Sequence, residues 1–160
     1  MALLEVGQTA PAFTAFTDDG RQVSLSDFKG HPVVMYFYPK ADTPGCTAES
    51  CAFRDHYGEF QTAGVTVLGV SGDNQADQAA FKAKYHLPFT LLADTEHTIL
   101  NAYGVWGNWK RTTSAGVEME FTGIYRVTYV IDGNGTIVQV LKDIDPASHS
   151  KEVLAQLAAN

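Results

Sequence analysis

Two cysteines are all that the 160 residues contain, at Cys46 and Cys51. That scarcity excludes a disulfide-stapled scaffold, and a chain of this length buries roughly 68–70% of its unfolded surface and folds without staples. Positive charge is scarce as well. Eleven Lys and Arg stand against 18 Asp and Glu, for a net charge of −7, and the basic residues are scattered. Nucleic-acid binding draws on concentrated positive charge to release counterions, so no nucleic-acid partner is expected. Long apolar runs are missing too. Nothing approaches the roughly 20 residues that span a bilayer. The opening MALLEVGQTAPAF lacks both the basic start and the apolar stretch of a secretory signal. The expected location is the cytoplasm, with no membrane partner. In that reducing compartment a pair of cysteines is more often catalytic, redox or metal-linked than structural.

Metal patterns are also lacking. Cys46, Cys51 and His56 are spaced i, i+5, i+10, at helix angles of about 0°, 140° and 280°, so they share no face. His31, His86, His97 and His149 form no HxxxH or HxH pattern. No metal site is expected, and the Cys-x₄-Cys spacing is not the Cys-x-x-Cys of thioredoxin-type redox motifs.

What the sequence does contain is alternation of apolar runs and helical patterns. Strands are predicted at 33–38, 65–70, 89–93, 126–131 and 136–141, rich in Val, Ile, Tyr and Phe. The first two are nearly continuous apolar runs, as in strands covered on both faces. Helices are predicted over 44–62, 74–86, 95–103 and 149–159. DGNG at 132–135 signals a hairpin between the last two strands. The order β-α-β-α-β-α-β-β-α predicts an α/β fold: a mixed central sheet with helices on both faces, in a single domain over 1–160. The segment 104–125 is the least readable, a long loop or an extra hairpin.

Thr43 suits a helix N-cap and Pro44 the first helical position. Cys46 then falls in the first turn, where unpaired N–H groups and the positive end of the helix dipole favour a thiolate. Cys51 is harder to place. Five helical residues separate the two Cα atoms by about 8.6 Å, whereas a disulfide wants roughly 4.4–6.8 Å. Either Cys51 is a buried thiol on the core face, or the helix unwinds to let the pair join.

The segment FYPKADTPGCTAESCAFRD (37–55) resembles the active-site segment of peroxiredoxins, most closely the bacterioferritin comigratory protein, or Q-type, subgroup. Pro39, Thr43 and Cys46 meet the family pattern Pro-x-x-x-Thr-x-x-Cys, and Thr43 to Asp55 meet the longer subgroup string. VGQTAPAFT, LGVSGD, FTLLAD, YGVW and RVTYVIDGNGTI also look like family segments. The resemblance implies a thioredoxin-like fold and a thiol peroxidase acting on hydrogen peroxide and organic hydroperoxides, with no cofactor. Cys46 would be the peroxidatic cysteine, its thiolate attacking the O–O bond to become a sulfenic acid. Thr43 would hydrogen-bond the sulfur and the peroxide, and Pro39 would shield the sulfenic acid from water. Arg126 would stand beside the thiolate, oriented by Glu49. Cys51 would be the resolving cysteine, joining Cys46 in a disulfide after local unwinding that Gly45 eases. Thioredoxin or a similar dithiol would reduce that bond. The subgroup implies a monomer.

Arg54 and Asp55 read as a surface ion pair. The stretch from Trp106 to Arg126 departs from the subgroup in length. Two other functions compete: a redox sensor that turns over slowly, and a thiol–disulfide oxidoreductase that never meets peroxide.

Overall fold

The computed structural model describes residues 3–112, 115–142, 146 and 148–159. Among the described residues, nine strands and five α-helices run in the order β1 (Thr14–Thr17), β2 (Gln22–Ser24), β3 (Val33–Phe37), α1 (Pro44–Asp55), α2 (Tyr57–Thr62), β4 (Thr66–Ser71), α3 (Gln75–Tyr85), β5 (Thr90–Ala93), α4 (Thr98–Ala102), β6 (Trp106–Thr112), β7 (Glu118–Ile124), β8 (Thr128–Ile131), β9 (Ile137–Leu141) and α5 (His149–Ala159). Seven strands form one sheet in the order β2-β1-β5-β4-β3-β8-β9, and β6 pairs with β7 alone.

The βαβ reading holds: β3, β4 and β5 are mutually parallel, and β8 and β9 add an antiparallel pair beside β3. Central β3 is buried at every residue, which its unbroken VVMYF run anticipates. Its side chains alternate between two cores. Val33, Met35 and Phe37 face a cluster with Ile99 and Leu100 of α4. Val34 and Tyr36 face another with Phe53 of α1, Phe60 of α2, Phe81 of α3 and Val153 of α5. Helices therefore cover both faces of a mixed sheet, as expected.

The turn at 132–135 is the hairpin that DGNG signals. Gly135 has φ +85 and its N–H donates to the Asp132 carbonyl, while Asp132 Oδ1 accepts from the N–H groups of Asn134 and Thr136.

One expectation changes, and one left open between two readings is decided. The helix predicted over 44–62 is two helices, broken at His56 (φ −105, ψ 10). The backbone turns out of the helix at His56, whose N–H still donates to the Ala52 carbonyl (3.2 Å) and whose ring Nδ1 lies 2.9 Å from the same oxygen. The segment 104–125 is an extra hairpin, registered from Trp106↔Ile124 to Thr112↔Glu118; residues 113–114 lie outside the described residues. Trp106 stacks on His97 at 4.1 Å, and Trp109 packs edge-on against Tyr125 and donates from Nε1 to the Gly123 carbonyl. Short β1 and β2, which the sequence reading did not find, extend the sheet beyond β5. No helix among the described residues is long and apolar enough to cross a membrane.

Candidate active site

The chain leaves β3 at Phe37 and turns over 38–43 before entering α1. Three contacts fix that turn. The Ala41 N–H donates to Asp73 Oδ2 (2.8 Å). Asp42 takes a left-handed conformation (φ +59), and its carboxylate is gripped by Lys84 Nζ (2.8 Å) and the Tyr85 hydroxyl (2.7 Å). Thr43 donates its hydroxyl to the Lys40 carbonyl (2.8 Å). The predicted side-chain cap is therefore not made: Thr43 has N-cap backbone geometry but no capping bond, because the turn brings the Lys40 carbonyl to its hydroxyl first. The Thr43 oxygen keeps lone pairs with which it can accept a proton donor. Pro39 is exposed on the same turn.

Cys46 occupies the third helical position of α1, as predicted, and is only 1% exposed. It sits in the same core as Tyr36, Tyr38 and Phe53. Burial pushes both phenols well up, so they stay protonated beside the sulfur. The Tyr36 hydroxyl bonds Ser50 Oγ at 2.8 Å.

Arg126 lies 80 positions downstream, just before β8. Its Nη2 donates to Cys46 Sγ at 3.3 Å, and its Nη1 donates to Glu49 Oε1 at 2.7 Å. One planar guanidinium thus spans two groups a turn apart on α1, a task that suits its fixed fork of donors. Burial opposes the guanidinium's charge, but Glu49 and Cys46 outweigh it and the net shift is upward. Glu49 is fully buried, and its Oε2 has no hydrogen-bond partner among the described residues. Burial raises its carboxyl to about 7 against the pull of Arg126. The structure thus brings Cys46, Glu49 and Arg126 together, a buried sulfur beside a fixed guanidinium donor.

Gly45 has a second use that the sequence did not suggest. A Cβ there would lie 3.2 Å from Arg126 Nη2, so the bare Cα lets the guanidinium lie on the first turn of α1. Gly45→Ala is expected to slow peroxide oxidation of Cys46 roughly tenfold, since even 1 Å of misplacement can cost about 10². The melting temperature is not expected to fall, because Ala favours the helix. Stopped-flow oxidation and a thermal melt check both.

Cys51 lies further along α1, half-buried and unbonded. Burial pushes its thiol up, with Arg54 pulling down and Asp55 pushing up. Arg54 Nε pairs with Asp55 at 3.0 Å on the surface, and Arg54 Nη1 also donates to the Tyr85 carbonyl.

Sequence reading singled out His149 only as a histidine outside any metal pattern. The structure buries it completely beside the site. Its Nε2 lies 2.6 Å from Thr128 Oγ1 at the start of β8, and its ring packs edge-on against Phe53 of α1 (5.8 Å). Nothing in its local sequence signals this, because burial of a helix-start histidine is a tertiary property.

Burial, then the charge of Arg126, pushes His149 down to about 4 from 6.5. Its contribution to stability is present above pH 6.5 and is lost as pH falls through about 4. Glu49, raised from 4.5 to about 7, has the opposite sign: its contribution is present below 4.5 and lost as pH rises through 7. The two slopes oppose each other between pH 4.5 and 6.5. Relative to the wild type, His149→Gln is expected to gain stability on acidification in that window and Glu49→Gln to lose it. Melting temperatures across that range test this.

The AhpC/TSA family model matches residues 6–140. The chain is 46% identical over 154 residues to a putative peroxiredoxin bcp of Coxiella burnetii, covering 96% of this chain and 99% of that protein. It is 41% identical over 151 residues to peroxiredoxin Bcp of Escherichia coli K12, covering 94% of each. Its structure is similar to the crystal structure of peroxidoxin BcpB from Mycobacterium tuberculosis, with a TM-score of 0.84 and 32% identity over 98% of this chain and 97% of that one.

Proposed function

The chain belongs to the AhpC/TSA family and has the thioredoxin-like fold of the peroxiredoxins, and from that premise we propose that it is a thiol-dependent peroxidase working through a two-cysteine cycle. Arg126, held at 3.3 Å from Cys46 Sγ by its bond to buried Glu49, is the observation that carries this reading.

The Cys46 thiolate attacks the distal oxygen of the peroxide. The S–O bond forms as the O–O bond breaks, and the leaving oxygen takes up a proton to depart as water or an alcohol. Cys46 becomes a sulfenic acid. Arg126 donors face the charge that develops on the breaking bond, where preorganised donors accelerate a reaction most. The Thr43 oxygen accepts the peroxide O–H, and Pro39 covers the sulfenic acid on the solvent side.

Cys51 then displaces the hydroxyl as water and closes the Cys46–Cys51 disulfide. Both residues belong to one intact helix, so this step passes through an unwound start of α1. A dithiol such as thioredoxin reduces the bond through a mixed disulfide. Hydrogen peroxide and organic hydroperoxides are the substrates, and the enzyme acts as a monomeric single domain over 1–160 in the reducing cytoplasm.

The test is one equivalent of hydrogen peroxide added to the reduced protein, followed by intact mass and peptide mapping. A loss of about two mass units with Cys46 linked to Cys51 is expected. A gain of about 16 on Cys46 without a link removes Cys51 as the resolver. No reaction within minutes rules out the peroxidase.

A further inference from the structure

Arg126 reaches Cys46 and Glu49 only if β8 and α1 keep their spacing, because the cation stands two residues before the start of β8 and both its partners lie on α1. The side chain lodged between them is His149. It bonds β8 at Thr128, two residues beyond Arg126, and packs on α1 at Phe53. The next residue adds a second tie to α1 alone, with Ser150 Oγ 3.0 Å from His56 Nδ1 at the C-terminal cap of α1. The first turn of α5 therefore fastens both walls of the site.

The chemistry of the wedge fits. Thr128 Oγ1 and His149 are both fully buried, and a buried polar pair this close is costly to break from one side, since the remaining partner is left unsatisfied. His149 Nδ1 has no hydrogen-bond partner among the described residues, and Glu152 Oε2 lies 3.8 Å from it. The neutral imidazole keeps a second cation away from Arg126, and an imidazolium would also lie at the positive end of the α5 dipole. The peroxidase cycle described above assigns this histidine no contact with the reacting atoms.

We propose that His149 is a positioning residue for peroxide reduction: through its bond to Thr128 and its contact with Phe53 it sets the gap between β8 and α1 that holds Arg126 against Cys46. This rests on the peroxidase reading above. It acts on the first chemical step, the attack of Cys46 on peroxide, and not on disulfide formation or on reduction by the dithiol.

The experiment measures the second-order rate of Cys46 oxidation by hydrogen peroxide in the full chain, together with a melt of each variant. His149→Phe keeps the ring and loses the bond; Thr128→Val loses the same bond from the other side; His149→Gln keeps a polar group at the position of Nε2 that can bond the Thr128 hydroxyl in either direction. His149→Phe and Thr128→Val are each expected to slow oxidation at least about tenfold. The double variant is expected to be no slower than either single, the sign of one shared interaction. His149→Gln is expected to recover most of the rate. The rate of disulfide closure after oxidation is expected to stay unchanged. If His149→Phe does not fold, Thr128→Val alone carries the test.

Wild-type rates in Thr128→Val, additive losses in the double variant, or a His149→Gln protein as slow as the Phe variant overturn the proposal and leave His149 as core packing. A wild type that does not react with peroxide overturns instead the reading on which it rests.

Discussion

Replacing Arg126 with methionine is expected to slow peroxide-driven oxidation of Cys46 by about 10²–10³-fold, the usual loss when one preorganised donor at a developing charge is removed. The guanidinium lies 3.3 Å from the sulfur and 2.7 Å from Glu49, so the substitution removes two things at once. Cys46 loses its neighbouring cation, and the peroxide loses the donors that face the breaking bond. Methionine fills most of the space without either. Glu49 responds as well. The cation is what holds its carboxyl down against burial, so without Arg126 the carboxyl rises further and takes a proton at neutral pH. That relieves part of the roughly 3–5 kcal/mol that breaking a buried ion pair can cost. The variant is thus expected to fold with a lowered melting temperature. Arg126→Lys is expected to recover only part of the rate, because an ammonium cannot bond the sulfur and the carboxylate through a rigid fork. Stopped-flow oxidation separates the cases: an Arg126→Met protein that reacts within a few-fold of the wild type would remove the guanidinium from the mechanism.

The parts of the fold that were legible are those whose burial is one-dimensional. β3 is buried on both faces, and a run of five apolar residues can say so. The hairpin at 132–135 was legible because Asp132 and Gly135 each have a local job in the turn. β6 and β7 were legible only as one of two alternatives, because among the described residues they pair with each other alone and β7 is exposed along most of its length, so no alternating pattern is imposed. The break at His56 was missed for a related reason. No Gly or Pro stands at the break; the backbone simply leaves the helical region at His56 itself. In the site, Thr43–Pro44 signalled the helix start and so the place of Cys46. Arg126 is 80 residues away, and no periodicity connects the two; only the likeness to a known family did. Glu49 came by the same route. His149 had no route at all, since its bond to Thr128 exists only once α5 has packed over β8.

Replacing Cys51 with serine is expected to leave the first reaction with peroxide nearly intact and to stop the cycle after it. Arg126, Thr43 and Glu49 are untouched, and Cys51 lies more than a turn beyond Cys46 on α1, so oxidation of Cys46 is expected at close to the wild-type rate. The chain holds no other thiol, and the sulfenic acid then has no internal partner. A gain of about 16 mass units is expected after one equivalent of peroxide, and about 32 under excess as the sulfinic acid forms. Turnover supported by a dithiol is expected to drop to background. The variant also isolates the conformational step. In the wild type, burial pushes the Cys51 thiol up while the helix is intact, and the proposed cycle has it attack after unwinding. Hydrogen exchange over 44–51 is therefore expected to rise sharply on oxidation of the wild type and to stay low in Cys51→Ser, whose helix has no bond to close. Full dithiol-driven turnover in the serine variant would mean that the reductant takes the sulfenic acid directly. The unwinding of α1 would then have no place in the cycle.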